Sequence, residues 1–106
     1  MVHQVDDKAF EEQLNKGGIV AVKYYADWCG SCKLFAPKFR RVSEEDEMQA
    51  ITFLDVNAEE NEAARKKAGV DNLPFLAVFK DGELIEGSAT SKEEYLRKMI
   101  EKAQQS

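Results

Sequence analysis

The two cysteines of the chain, Cys29 and Cys32, are separated only by Gly30 and Ser31. Two thiols at this spacing can form a redox pair, supply half of a metal site, or close a structural disulfide. A closed zinc site needs four ligands, and His3 is the only histidine. A disulfide across so short a loop would restrain little chain entropy. The residues therefore favour thiol-disulfide exchange by the redox-active pair, with no metal and no other cofactor.

Cys29 lies where a strand pattern changes to a helix pattern. The near-continuous apolar run 19–25 is typical of a buried strand. From Cys32 apolar residues recur at helical spacing to about Met48. A cysteine at the first turn of a helix meets unpaired N–H groups and the positive end of the dipole, which favour thiolate. Cys29 is therefore the predicted nucleophile, and Cys32, one turn later, would resolve the mixed disulfide.

The other elements alternate along the chain. Strands are predicted over 2–5, 50–56, 75–80 and 83–86, and helices over 7–16, 60–68 and 91 onward. Asp81-Gly82 predicts a hairpin turn. The stretch 91–94 reads as a capping box, followed by an apolar stripe that begins at Tyr95.

This β-α-β-α-β-α-β-β-α order predicts an α/β fold with a central mixed five-stranded sheet and four helices on both faces. The length, 106 residues, predicts a single domain over 1–106.

Composition narrows the range of partners. Fifteen Lys+Arg against twenty Asp+Glu give a net charge of -5, without a basic cluster, so nucleic acid is not an expected partner. No stretch approaches the roughly 18 apolar residues of a membrane helix. The first residues carry acidic side chains and no apolar signal-peptide core. We therefore expect a cytoplasmic protein, monomeric and without a membrane partner.

Four motifs together resemble the thioredoxin family: WCGSCK after an apolar strand (28–33), Pro37 in the following helix, NLP before a strand (72–74), and the hairpin FKDGE (79–83). The resemblance covers nearly the whole chain. It implies the thioredoxin fold, protein disulfides as substrates, and a thioredoxin reductase as recycling partner. It also implies that Cys29 is the exposed nucleophile and Cys32 the buried resolving thiol.

The same resemblance implies a substrate-binding surface. Pro74 would be the family's cis-proline facing Cys29, leaving the backbone of Leu73 free to pair with an extended substrate; the alternative is a trans residue that opens a strand. Trp28 would shield the pair and offer a flat contact surface, or else lie in the core. The predicted substrate-binding residues are Trp28, Gly30, Ser31, Leu73 and Pro74.

Three positions in the active-site loop and around Pro74 depart from the family's pattern. Ser31 replaces the usual proline, and its hydroxyl could hydrogen-bond a sulfur, which would stabilise the reduced form and give a somewhat more oxidising couple. Asn72 occupies a place often held by glycine or alanine, and Phe75 replaces a common threonine. These changes bear on which partner proteins are recognised.

Lys23 and Asp55 are further predicted catalytic residues. Family members resembling this chain carry an aspartate at the position of Lys23 and a lysine at that of Asp55, so the charges look inverted. Each is the single charge of an apolar strand, and an unpaired buried charge is costly, which predicts a buried ion pair. Lys23 would then carry a proton or favour thiolate on Cys32. The alternative is that Lys23 snorkels to the surface and Asp55 caps a strand end.

Three functions compete. The first is a protein-disulfide reductase that acts as an electron carrier. The second is a thioredoxin-fold binding or redox-sensing module with little turnover. The third is a more oxidising disulfide oxidase or isomerase. The intact cysteine pair, together with Trp28 and Pro74, favours the reductase.

Overall fold

The computed structural model describes all residues, 1–106. In chain order, the elements are β1 (Val2–Gln4), α1 (Asp7–Asn15), β2 (Ile19–Tyr25), α2 (Gly30–Ser43), a 3-10 turn (Asp46–Met48), β3 (Thr52–Asn57), α3 (Glu62–Ala68), β4 (Phe75–Lys80), β5 (Glu83–Ala89) and α4 (Glu93–Gln104). The predicted order of strands and helices is confirmed. No helix has the length and apolar character needed to cross a membrane.

The strands form one sheet in the order β1-β3-β2-β4-β5. β3 pairs in parallel with both β1 and β2, whereas β4 runs antiparallel to β2 and β5. The sheet is therefore mixed, as predicted. Its central strand, β2, is the one that leads directly into Cys29.

The helices lie on both faces of the sheet, because β2 alternates its side chains between two separate cores. Val20, Val22 and Tyr24 pack with residues of α1 and α3, while Ala21 packs with residues of α2 and α4. Six apolar side chains for which the sequence indicates a core position and no chemistry are all buried: Phe35, Phe39, Phe53, Phe79, Leu96 and Met99. The site is thus held by a strand that is covered on both sides.

The predicted helix after Cys32 is wrong at its end, because α2 stops at Ser43 and a separate 3-10 turn follows. The Ser43 hydroxyl donates to the Arg40 carbonyl at 2.6 Å. The Glu44 N–H donates to the Arg41 carbonyl, a tighter i to i−3 pattern that closes the helix.

The predicted capping box at 91–94 is also wrong. Lys92 occupies the N-cap of α4 in an extended conformation and no side chain caps the helix, so Ser91 lies outside it. The Lys92 N–H donates instead to the hydroxyl oxygen of Thr90, at 3.1 Å. Tyr95 is 40% exposed rather than part of the apolar stripe. The ammonium groups of Lys92 and Lys98 lie 5.7 and 5.9 Å from its ring, a surface cation–π arrangement.

Candidate active site

Cys29 is the N-cap residue of α2 and is bonded to Cys32 in a disulfide with a Cα–Cα distance of 5.3 Å. Its sulfur accepts the Cys32 N–H at 3.2 Å. That N–H is one of the groups at a helix start that lack an intrahelical partner, so the sulfur takes the place of an N-cap oxygen. This is the position that the sequence predicted for a stabilised thiolate, although α2 begins at Gly30 rather than at Cys32.

The expectation of an exposed Cys29 is wrong for this disulfide form. Cys29 is 4% exposed and Cys32 2%. The two cysteines form a small apolar cluster with Ala26, against which Tyr25 and Leu73 pack. Because each sulfur is covered by the other and by these neighbours, only a small part of Cys29 reaches the surface.

Ser31 places its hydroxyl 3.6 Å from the Cys29 sulfur. A disulfide sulfur carries no hydrogen, so the hydroxyl is the donor. The prediction that Ser31 can hydrogen-bond a sulfur is thus supported by geometry.

Leu73–Pro74 is a cis peptide bond, directly before β4. The predicted cis-proline is confirmed, and the trans alternative is wrong. However, the Leu73 N–H donates to the Asn72 side-chain oxygen Oδ1 at 2.9 Å. The prediction that the Leu73 backbone is free is therefore wrong for its N–H group, because the side chain that precedes it already supplies an acceptor.

Trp28 is 68% exposed, so the alternative of a core tryptophan is wrong. Its indole N–H donates to Glu59 Oε2 at 2.7 Å. Trp28 and Glu59 line a cleft of about 240 Å³ together with Asn72 and Leu73. The cleft brings the loop after β3 and the segment before β4 next to the tryptophan.

Neither the role of Glu59 nor the contact that Asn72 makes is predicted from the sequence. One signal could have pointed to Asn72, since asparagine side chains readily hydrogen-bond nearby backbone N–H groups in turns. Nothing in the local pattern marks Glu59, because its partner lies 31 positions earlier in the chain.

Lys23 and Asp55 form the predicted ion pair. They are register partners on β2 and β3, and Lys23 Nζ lies 3.3 Å from Asp55 Oδ1. The Lys23 side chain is only 5% exposed, so the alternative of a lysine that snorkels to the surface is wrong. Its ammonium also lies 5.7 Å from the Tyr25 ring and 5.6 Å from the Phe39 ring.

Burial raises the pKa of the Asp55 carboxyl, and the nearby Lys23 ammonium offsets part of that rise. Oδ1 of Asp55 is buried and has no hydrogen-bond partner beyond this ion-pair contact. A carboxyl whose pKa is raised takes up a proton at a higher pH than an exposed one. Asp55 is thus suited to proton exchange with a neighbouring group.

A second cleft, of about 220 Å³, joins the ion pair to Cys32. Lys23, Asp55, Tyr25 and Cys32 are among its lining residues, whereas Trp28 and Leu73 line the other cleft. The structure therefore brings Lys23, Asp55 and Cys32 to one cleft, whereas Trp28 and Leu73 line a separate one. No group of three or more His, Cys, Asp or Glu side chains is arranged to hold a metal ion.

Comparison with known proteins gives a consistent result. The family model described as Thioredoxin matches residues 1–102. The thioredoxin of Pseudomonas aeruginosa is 38% identical over 81 residues, which cover 76% of this chain and 74% of that protein. The thioredoxin of Bacillus subtilis is 32% identical over 99 residues, covering 91% of each.

Solved structures share the architecture. One similar chain comes from the crystal structure of ferredoxin:thioredoxin reductase in complex with thioredoxin f2. It superposes with a TM-score of 0.87 at 30% identity, covering 97% of this chain and 94% of that one.

Proposed function

The chain belongs to the thioredoxin family and is a thiol-disulfide oxidoreductase that reduces protein disulfides, and we propose that Cys29 is its nucleophile and Cys32 its resolving thiol. The observation that carries this assignment is the position of the Cys29 sulfur at the N-cap of α2, where it accepts the Cys32 N–H. The same N–H and the helix dipole would stabilise negative charge on Cys29 once the pair is reduced.

The exchange then proceeds in two displacements. The Cys29 thiolate attacks one sulfur of the substrate disulfide, which forms a mixed disulfide and releases the other substrate sulfur as a thiolate. Cys32, as a thiolate, next attacks the Cys29 sulfur, which closes the Cys29–Cys32 disulfide and releases the second substrate thiolate. Two electrons pass from the cysteine pair to the substrate. The family acts through this pair without a cofactor.

The proton that leaves Cys32 goes to Asp55 in this proposal. Both groups line the same cleft, and burial raises the pKa of Asp55 toward the range of a useful proton acceptor. The Lys23 ammonium, paired with Asp55, stabilises the carboxylate before the transfer and the Cys32 thiolate after it. The inverted pair thus supplies both a base and a cation beneath the disulfide.

Trp28 and Pro74, with Gly30, Ser31 and Leu73 around them, form the proposed substrate contact surface. Trp28, Gly30 and Ser31 are exposed, Leu73 is half-buried against the cysteines, and Pro74 is buried. A flat, exposed indole beside a reacting sulfur offers apolar contact area with few degrees of freedom to lose.

A protein reductase returns two electrons to the oxidised pair, as the complex of a similar thioredoxin with its reductase supports. We propose that this chain works as a monomeric electron carrier in the cytoplasm, where it contributes to redox homeostasis. Two features support that setting. Both cysteines belong to the redox pair, so no disulfide is left for a purely structural role. The net charge of -5 also disfavours self-association.

Two measurements test the roles of the cysteines. Alkylation of the reduced protein over a pH series should titrate Cys29 well below the value of about 8.5 for a free thiol. Cys32→Ser should accumulate a mixed disulfide with insulin chains, whereas Cys29→Ser should form none. A Cys29 that titrates like a model-peptide thiol, or a stable adduct on Cys32, would contradict the assignment.

A further inference from the structure

We propose that Asn72 is a specificity-determining residue that competes with extended protein substrates for the N–H group of Leu73. The inference rests on the proposed function and concerns the same site. Asn72 Oδ1 accepts the Leu73 N–H at 2.9 Å, and the Asn72 side chain is exposed. A carboxamide oxygen resembles a peptide carbonyl in shape and charge, so it occupies the place that a substrate backbone carbonyl would take.

Leu73 lies where an extended substrate would reach this N–H. Leu73 lies outside the strands, and no backbone hydrogen bond outside the helices and strands involves it. It packs against Cys29 and Cys32, and it lines the cleft beside Trp28. An extended chain that presents its disulfide to Cys29 would therefore run past a backbone whose donor has only the Asn72 side chain as partner. Unpaired extended backbone recognises peptides through such main-chain hydrogen bonds.

The Asn72–Leu73 hydrogen bond penalises substrates that contain a peptide backbone and leaves other disulfides unaffected. A peptide-containing substrate must displace the Asn72 side chain before it can use the Leu73 N–H, whereas a small disulfide without a backbone has no need to. Asn72 therefore slows protein substrates relative to small ones. One neutral hydrogen bond changes an affinity by about 2- to 10-fold, which sets the size of the expected effect.

The test compares Asn72→Ala with Asn72→Asp, which keeps the oxygen acceptor. The chain is reduced, and its second-order rate constants with insulin and with 2,2′-dithiodipyridine, a neutral disulfide without a peptide backbone, are measured at moderate salt. We expect Asn72→Ala to raise the ratio of the insulin rate to the dithiodipyridine rate by about 2- to 10-fold. Asn72→Asp, whose charged oxygen accepts this N–H at least as strongly, should keep the ratio at or below the wild-type value, and Leu73 amide hydrogen exchange should accelerate only in the alanine variant.

The outcomes separate this proposal from the function on which it rests. A wild-type chain that does not reduce insulin overturns both. A wild-type chain that reduces insulin, with an unchanged or lower ratio in Asn72→Ala, overturns the role of Asn72 alone. If Asn72→Ala changes the rate constants with insulin and with dithiodipyridine by the same factor, Asn72 only shapes the loop. That result also overturns the proposal.

Discussion

Lys23 and Asp55 face each other across two neighbouring parallel strands, with 3.3 Å between the ammonium nitrogen and a carboxylate oxygen. Register partners in a parallel pair point to the same side of the sheet, here the side on which Phe39 of α2 lies near the ammonium. The pair thus sits under the helix that begins at the cysteines. This relationship leads to two predictions.

Lys23→Ala should slow the resolution of the mixed disulfide at neutral pH by about tenfold or more, within the range of acid-base effects. Without the ammonium, the pKa of Asp55 rises further, so a larger fraction of the carboxyl is protonated and unable to take the proton of Cys32. The decay of a preformed mixed disulfide, followed by rapid quenching over a pH series, measures this step. Lys38→Ala removes an exposed charge from α2 and serves as control. An unchanged rate in Lys23→Ala would exclude a proton role.

Asp55 should also make stability depend on pH. Because its pKa is raised in the folded chain, the folded state holds more protons than the unfolded state above about pH 4. The contribution of Asp55 to the free energy of unfolding is therefore greatest at low pH, and it falls as pH rises through the pKa that Asp55 has in the folded chain. The free energy of unfolding is measured with urea for wild type and for Asp55→Asn. The wild-type value minus the Asp55→Asn value should decline as pH rises through that window. Glu101→Gln corrects for the loss of one charge, and a difference that stays constant with pH would contradict the raised pKa.

Ser31→Ala should make the Cys29–Cys32 couple more reducing. The variant removes the hydroxyl 3.6 Å from the Cys29 sulfur, and with it a donor that stabilises the thiolate more than the disulfide. A single hydrogen bond corresponds to a shift of about 10 to 30 mV for a two-electron couple. Equilibration with glutathione buffers measures the potential. Ser31→Thr keeps a hydroxyl and should stay near wild type, and an unshifted alanine variant would show that the contact has no redox role.

Glu59→Ala should loosen Trp28 and slow the reaction with protein disulfides. The indole loses its carboxylate acceptor at 2.7 Å, so its orientation is no longer fixed beside Cys29. Since Trp28 is the only tryptophan, its fluorescence anisotropy reports the motion directly. In Glu59→Ala the fluorescence anisotropy and the rate of insulin reduction should both fall, the rate by about 2- to 5-fold. Glu59→Gln keeps an oxygen acceptor and should keep the wild-type anisotropy and rate. An anisotropy that is equal in all three proteins would refute a positioning role for Glu59.

Gly87→Ala should destabilise the chain. A Cβ at this position would lie 2.9 Å from Cε1 of the buried Phe75 ring, so the aromatic ring next to Pro74 would have to move. Overpacking of this kind costs about 1–3 kcal/mol, more than the gain of about 0.4–1 kcal/mol from a less flexible unfolded chain. Urea unfolding measures the loss. Phe75→Leu in the same chain should recover part of it, and additive effects of the two substitutions would argue against the contact.

The sequence predicts the order of the strands better than the ends of the elements: β3 begins at Thr52 rather than at residue 50, and β5 extends to Ala89 rather than to residue 86. Strands β2 and β4 begin and end as predicted, because their apolar runs are bounded by glycine and proline or by a turn. The Lys23–Asp55 pair is also predictable, since one charge in each buried strand needs a partner. The hydrogen bonds that close α2, from the Ser43 hydroxyl to the Arg40 carbonyl and from the Glu44 N–H to the Arg41 carbonyl, leave no trace in apolar spacing.

The candidate site also combines features that the sequence predicts with features that only the folded chain reveals. The order of the motifs places Cys29 at a helix start and Pro74 before β4. The burial of Cys29 depends partly on Leu73, and the indole–carboxylate contact of Trp28 depends on Glu59, and both residues are distant in sequence. Spacing along the chain carries no information about such contacts, so they become visible only in the folded structure.

The small exposed fraction of Cys29 in the oxidised chain, beside an indole that is two-thirds exposed, bears on how the pair is regenerated. The thiol that reopens the Cys29–Cys32 bond has to reach a sulfur with little open surface next to Trp28. A thiol carried on a narrow, protruding segment meets that requirement better than one set in a flat face. The rate of regeneration would then depend on the shape of the electron donor around its thiol, as well as on its redox potential.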